Sequence, residues 1–193
     1  MITINAKGDN CPIPVIKTKK ALEALTGAET VEVLVDNEIA VQNVTKLGTS
    51  EGGEVTSLKV SEKEFKVTIQ MQGSVSSQPK MQGETVVVCG AEYMGEGNDE
   101  LGKVLMKGFI FALTQLNALP KTILFYNGGA ALTCEGSDSL EDLKAMKAQG
   151  VEILTCGTCL DYYQLKDKLS VGEVTNMYSI AEAMAKAGNI LKP

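Results

Sequence analysis

"GDNCPIPVIKTKKAL", residues 8–22, sets Cys11 in front of two prolines and then runs into a helical pattern. Proline is tolerated in the first turn of a helix, where the N–H groups lack intrahelical partners and its fixed φ is already helical. Pro12 and Pro14 therefore open a helix here rather than break one. Behind them Val15, Thr18, Leu22 and Leu25 recur at helical spacing as one inward stripe, with Lys17, Lys20 and Glu23 on other faces. Cys11 is thus expected at or beside the N-cap. The partial positive charge of a helix N-terminus favours an anion and would lower a thiol pKa from about 8.5 by about one unit. Asp9 opposes that effect, and a buried structural cysteine behind a stiff loop is the plain alternative.

Outward from this turn, residues 1–71 read as a two-layer α+β unit in the order βαβαββ. "ITINAK" is the first strand, and "ETVEVLVD" is a strand with Val31, Val33 and Val35 on one face. Asp36 and Asn37 are expected to cap a short helix through Ile39, Ala40, Val44 and Leu47, with Gly48 as its stop. In the last strand Phe65, Val67, Ile69 and Met71 alternate with Lys66, Thr68 and Gln70, a strict period of two. Residues 72–83, "QGSVSSQPKMQG", carry no hydrophobic period and read as a flexible linker with a reach of roughly 20 Å.

Residues 84–193 change pattern to strands alternating with helices, a layered, mostly parallel α/β domain. "TVVVCG", "KTILFYN", "VEILTC" and "EVTNM" are the expected strands, and Ser139 with Asp142 and Ser179 with Glu182 make capping-box patterns at two helix starts. Gly108–Pro120, "GFIFALTQLNALP", holds no charge, so this helix is expected to be buried on more than one side, and a subunit interface around Phe109, Ile110 and Phe111 is favoured. The glycines of "MGEGNDELG" do not fit a dinucleotide loop, and Glu96, Asp99 and Glu100 would repel phosphate.

Composition narrows the chemistry. All 18 basic residues are lysine, against 24 acids, and histidine is absent. Without arginine, bidentate recognition of phosphate or guanine is missing, which argues against direct nucleic-acid binding. Without histidine, the usual Cys–His nucleophile is unavailable, so any cysteine chemistry must work without imidazole, a condition that persulfide transfer and thiol–disulfide exchange both meet. Five cysteines in a chain with no signal-peptide core and no membrane-length apolar run suggest a cytoplasmic protein with redox, metal or carrier thiols.

"TCGTCLDYYQL" ends a strand and enters a helix, placing Cys156 and Cys159 where open α/β sheets keep their functional crevice, again at a helix N-terminus. A CxxC pair permits an intramolecular disulfide or half of a metal site, and two packed small residues are the alternative. The spacings of Cys89 and Cys134 to this pair fit none of the usual zinc knuckles, so neither a metal nor another cofactor is expected. Cys89 is expected in the core, Cys134 is ambiguous in a loop where a thiol can simply be exposed, and Tyr162 and Tyr163 could flank the thiols, though packing on the sheet is the commoner use of such aromatics.

The Cys-Pro-x-Pro turn at Cys11, Pro12, Ile13 and Pro14, in its βαβαββ setting, resembles the TusA/SirA-like sulfur-carrier family. Residues 84–193 look like a DsrE-like domain, and "CGTCLDYY" followed by "VTNMY" resembles the fused two-domain YedF-type family linked to selenium metabolism. The resemblance implies that Cys11 carries a persulfide taken from a cysteine desulfurase or other donor and passes its outer sulfur to a thiol acceptor. It implies a relay role for Cys156 or Cys159 without deciding between them, and a homo-oligomer through the DsrE-like domain. A thiol–disulfide oxidoreductase built on the CxxC pair, or a non-catalytic interaction or regulatory module, remain alternatives.

Overall fold

A computed structural model of the chain describes residues 1–10, 12–72 and 83–193. The chain divides into two compact units, Met1–Pro79 and Lys80–Pro193. The strip expected as a linker lies outside the described residues except for Gln72 and Gly83.

The first unit runs β1 (Ile2–Asn5), α1 (Ile13–Glu23), β2 (Glu29–Val35), α2 (Glu38–Ser50), β3 (Glu54–Ser61) and β4 (Glu64–Met71). Its sheet has the order β1-β2-β4-β3, with β1 parallel to β2 and the other pairs antiparallel. The register sets Val31 opposite Ile69, Val33 opposite Val67 and Val35 opposite Phe65, so the period-two face of each strand meets that of its neighbour. These side chains are buried with Leu22, Leu25, Ala40 and Val44 from the two helices. Each such aliphatic chain removed from water contributes about 1.5–3 kcal/mol.

Two details differ from the sequence expectation. The inward stripe of α1 is Pro14, Thr18 and Leu22, while Val15 is only half-buried. Gly48 does not stop α2. It lies within the helix, where an added Cβ would meet Val55 Cγ2 at 2.8 Å and Ile69 Cδ1 at 2.9 Å, so it lets the helix approach the sheet. The stop is Gly52, at φ +83°, whose N–H donates to Thr49 O at 3.0 Å while the N–H of Gly53 donates to Gly48 O at 2.9 Å. That is the paired-bond turn in which a left-handed glycine satisfies the last carbonyls.

The second unit runs β5 (Thr85–Cys89), α3 (Asp99–Leu113), β6 (Thr122–Phe125), a 3-10 turn (Asn127–Thr133), α4 (Leu140–Ala148), β7 (Glu152–Cys156), α5 (Gly157–Tyr162), β8 (Glu173–Thr175), α6 (Met177–Lys186) and β9 (Asn189–Leu191). The sheet order is β8-β7-β6-β5-β9, with every pair of strands parallel. Both faces are covered, which explains the unbroken apolar runs in the strands. Val87, Cys89, Ile123, Phe125 and Ile153 pack with Met106, Ile110, Leu143 and Met146 of α3 and α4. Val86, Val88, Leu124 and Cys156 pack with Ile180 of α6 on the other face.

The uncharged stretch 108–120 is not a helix of its own. It supplies the end of α3, which starts at Asp99 and carries Lys103 and Lys107, and the helix stops at Leu113. Ile110 is wholly buried against the sheet, Phe109 packs on that core, and the apolar residues left outside are Leu101, Val104 and Leu105. Ser139 is the N-cap of α4 but makes no side-chain cap bond. Ser179 lies inside α6, whose N-cap is Asn176: its side chain accepts the Ser179 N–H at 3.0 Å. Among the described residues, no helix is long and apolar enough to cross a membrane.

Candidate functional site

Cys11 itself lies outside the described residues, and what flanks it is well defined. Pro12 is the N-cap of α1 and Pro14 is buried in the first turn. The Ile13 N–H donates to Asn10 O at 2.9 Å and the Ile16 N–H to Pro12 O at 3.2 Å. Thr18, buried and polar, returns its hydroxyl to Pro14 O at 2.8 Å. Upstream, Gly8 takes a left-handed φ of +81° and donates its N–H to Asp36 Oδ2 at 2.7 Å. That N–H, and then the Asn37 side chain, hold the Asp36 carboxyl below the usual carboxylate range. Asp9, expected to oppose a thiolate, is paired with Lys17 Nζ, which also reaches Asn5 O at 3.4 Å. The first turn of α1 contains no acidic residue.

Asn37 caps α2 as expected, accepting the Ala40 N–H at 2.8 Å. Ile39, in the first turn of that helix, is exposed. It borders a small cleft with Asp9, Pro14, Val15, Asn37 and Asn43, so an apolar side chain stands beside the Cys-Pro-x-Pro turn. Position in the helix explains this: the first-turn residue points past the sheet's edge, while Ala40 and Val44 face it.

In the second unit, Cys156 and Cys159 sit together at the carboxyl end of β7. Cys156 is its last residue and the N-cap of α5, and it is buried on the α6 face. Cys159 is half-buried, and its Sγ accepts the backbone N–H of Asn127 at 3.0 Å. The expected lowering at a helix N-terminus is not what governs Cys159. Burial pushes its thiol up, the Asn127 N–H pulls it down, and the adjacent Cys156 thiol raises it again.

Asn127 is the residue the sequence reading missed. It holds φ +49°, a conformation that asparagine tolerates better than most side chains, and its Oδ1 accepts the Tyr163 hydroxyl at 2.7 Å. Tyr162 and Tyr163 do not pack on the sheet. They are exposed and meet edge to face, with ring centres 5.1 Å apart. A cleft of about 350 Å³ opens beside Asn127, Gly128 and Tyr163, its other walls including Gly90, Tyr93 and Lys103. The asparagine-glycine-glycine run was the available signal, since Gly129 passes so close to β5 that a Cβ would lie 2.2 Å from Cys89 O.

Of the remaining thiols, Cys134 lies in a buried cluster with Ala130 and Leu160 against which Cys159 packs. Cys89 is fully buried, and desolvation pushes it up to about 12. Cys134 is not exposed in a loop but buried, its Sγ donating to Ala130 O at 3.3 Å. Among the described residues no group of three or more cysteine or carboxylate side chains is placed to hold a metal ion.

The family model for the sulfurtransferase TusA matches residues 2–71. A protein of Methanocaldococcus jannaschii named "Putative sulfur carrier protein" is 37% identical over 70 residues, 36% of this chain and 93% of that relative. One of Archaeoglobus fulgidus with the same name is 38% identical over 68 residues, 35% of this chain and 77% of the relative. A crystal structure of a SirA-like protein from Desulfitobacterium hafniense shares 44% identity, covering 37% of this chain and 99% of that one at a TM-score of 0.36. A protein of unknown function from Methanobacterium thermoautotrophicum shares 18% identity, covering 57% of this chain and 99% of its own at a TM-score of 0.44.

Proposed function

The chain belongs to the TusA sulfurtransferase family through residues 2–71, and from that premise we propose that it is a sulfur carrier whose Cys11 exchanges persulfide sulfur with the Cys156/Cys159 pair. The observation that carries this reading is the build of the chain on both sides of position 11. A loop tied to Asp36 precedes it, and a proline-started helix without acid in its first turn follows. In each transfer a thiolate attacks the outer sulfur of a donor persulfide, the donor's inner sulfur leaves as thiolate, and the outer sulfur keeps its proton. No base is consumed and no net oxidation occurs, which suits a chain without histidine.

The first donor is a cysteine desulfurase or another persulfide source, and the last acceptor is a thiol on a downstream partner. Selenium, chemically parallel to sulfur, is a second cargo for the same thiols. The second unit is read as DsrE-like, supported by its all-parallel sheet with paired thiols at a strand end. It is the self-associating part, through the exposed Leu101, Val104 and Leu105 of α3 rather than through Phe109–Phe111. Light scattering that returns the mass of a single chain at micromolar concentration removes this element. The working compartment is a reducing one, the cytoplasm, where free thiols persist.

The test is sulfur loading of the full chain by a cysteine desulfurase with cysteine, followed by peptide mass mapping. One added sulfur is expected on peptide 8–17 of the wild type and none there in Cys11→Ala, with loading of peptide 148–166 falling alongside. If Cys11→Ala still loads peptide 148–166 at the wild-type rate, Cys11 is not the entry point. The thiol–disulfide reading, favoured by the contact between Cys156 and Cys159, then takes its place.

A further inference from the structure

The relay leaves open which thiol of the second unit holds the mobile sulfur. Resting on that reading, we infer that it is Cys159, and that Asn127 is its positioning residue, donating a backbone N–H to Sγ from a turn latched by Tyr163.

Access separates the two thiols first. Cys156 is 1% exposed and packs with Val86, Val88, Leu124 and Ile180, with the half-buried Cys159 against the same cluster. Cys159 lies half-exposed, in contact with the loop that borders the cleft. Donors separate them next. The Asn127 N–H reaches Cys159 Sγ from 32 residues upstream, so it is a contact of the tertiary fold and not of the short helix α5.

Three hydrogen bonds close this arrangement into a ring. Asn127 N–H meets Cys159 Sγ, the Tyr163 hydroxyl meets Asn127 Oδ1, and the Tyr163 N–H returns to Cys159 O at 3.0 Å. The loop has no slack on its other side, because Gly129 lies against the Cys89 carbonyl. Asn127 is therefore held in its left-handed conformation from both directions, and its N–H stays aimed at the sulfur.

The same donor serves both halves of the chemistry. Before transfer it stabilises the attacking thiolate of Cys159. That sulfur then becomes the inner sulfur of the persulfide, and on discharge it is again the leaving thiolate, meeting the same N–H. Cys156 faces Cys159 as the adjacent thiol, Cys134 belongs to the buried cluster against which Cys159 packs, and the Tyr163 hydroxyl reaches it through Asn127. The cleft of about 350 Å³ is lined by Asn127 and Tyr163, the two residues that frame Cys159.

The experiment uses the full chain and inorganic tetrasulfide as sulfur donor, with alkylation, fragmentation of peptide 148–166, and a pH profile of Cys159 alkylation. Added sulfur is expected on Cys159 in the wild type and in Cys156→Ser. In Asn127→Ala the strained backbone relaxes and the N–H leaves the sulfur. The pH midpoint should then rise by about half a unit to one unit, and loading should slow several-fold. Asn127→Gly, free to keep a left-handed φ but without the Oδ1 that Tyr163 holds, should recover part of both. A general structural weakening would not distinguish alanine from glycine in this way. Sulfur found on Cys156 with Cys159 bare, or an Asn127→Ala profile equal to wild type, overturns the inference while leaving the relay standing. Sulfur on Cys11 alone, with both other thiols bare, overturns the relay and the inference together.

Discussion

Around position 11 the supporting contacts are made by near neighbours in sequence and by Asp36 at the next helix start, whereas Cys159 is held by Asn127 from 32 residues away. The first arrangement is written as a motif, because prolines fix φ wherever they stand. The second exists only when β6, its following turn and α5 have assembled, so no local spacing announces it. The difference teaches that a turn can be stiffened by its own prolines, whereas a half-buried thiol in a sheet crevice needs a donor delivered by tertiary structure. It also divides their sensitivity to pH. The first unit leans on an anionic carboxylate and the second on neutral buried thiols.

The largest expected effect lies at alkaline pH. Cys89 keeps its proton in the fold up to about 12, while in the unfolded chain it titrates near 8.5–9. Between those values the unfolded state alone loses the proton, so stability is whole below pH 9 and falls as pH rises toward 12, by an upper limit on the order of 4 kcal/mol. Denaturant melts of the second unit across that range should show the fall, and Cys89→Val should flatten it. Equal alkaline loss in both proteins would break the contrast.

Next in size is a paired glycine substitution. Gly129→Ala drives a Cβ to 2.2 Å from a backbone carbonyl and should cost roughly 3 kcal/mol, with a higher pH midpoint for Cys159 alkylation as the Asn127 N–H leaves the sulfur. Gly8→Ala meets nothing within 4 Å and pays only for its φ of +81°, about 1–2 kcal/mol. Melting curves that rank the two in the opposite order would mean that the first loop is the more constrained.

Smallest is Asp36→Asn. The depressed carboxyl contributes stability that is present above the ordinary carboxylate pKa and is lost as pH falls through the folded value. The variant should therefore weaken the first unit at neutral pH and make it less acid-sensitive, a change visible in amide exchange of residues 7–10. Identical acid transitions in variant and wild type would remove Asp36 from the account.

The first unit was legible in sequence almost to its details, since period-two strands and a proline-started helix are local signals. Gly48 misled because a glycine near a helix end reads as a cap, while its use here is close packing on Val55 and Ile69. In the second unit β5 to β8 could be read, β8 being only three residues long, whereas β9, equally short, earns its pairing only beside β5. The uncharged end of α3 read as surplus apolar surface, yet Ile110 there faces the sheet, and the exposed apolar residues are Leu101, Val104 and Leu105, in a stretch broken by Lys103. Cys134 and the tyrosine pair could not be placed from sequence for one reason: a loop's burial depends on what folds over it. At the site itself, the two cysteines were visible and the asparagine that orients one of them was not.

One face of the second sheet joins sulfur to a peripheral helix. Cys156 shares its core with Ile180, and Cys159, Ala183 and Met184 border the same cluster. An added sulfur atom, or a bond between the two thiols, changes the volume that α6 must pack against in an interior with no spare room. The breathing of that helix, read as the exchange lifetimes of its amide protons, is thereby a record of what the thiols are carrying.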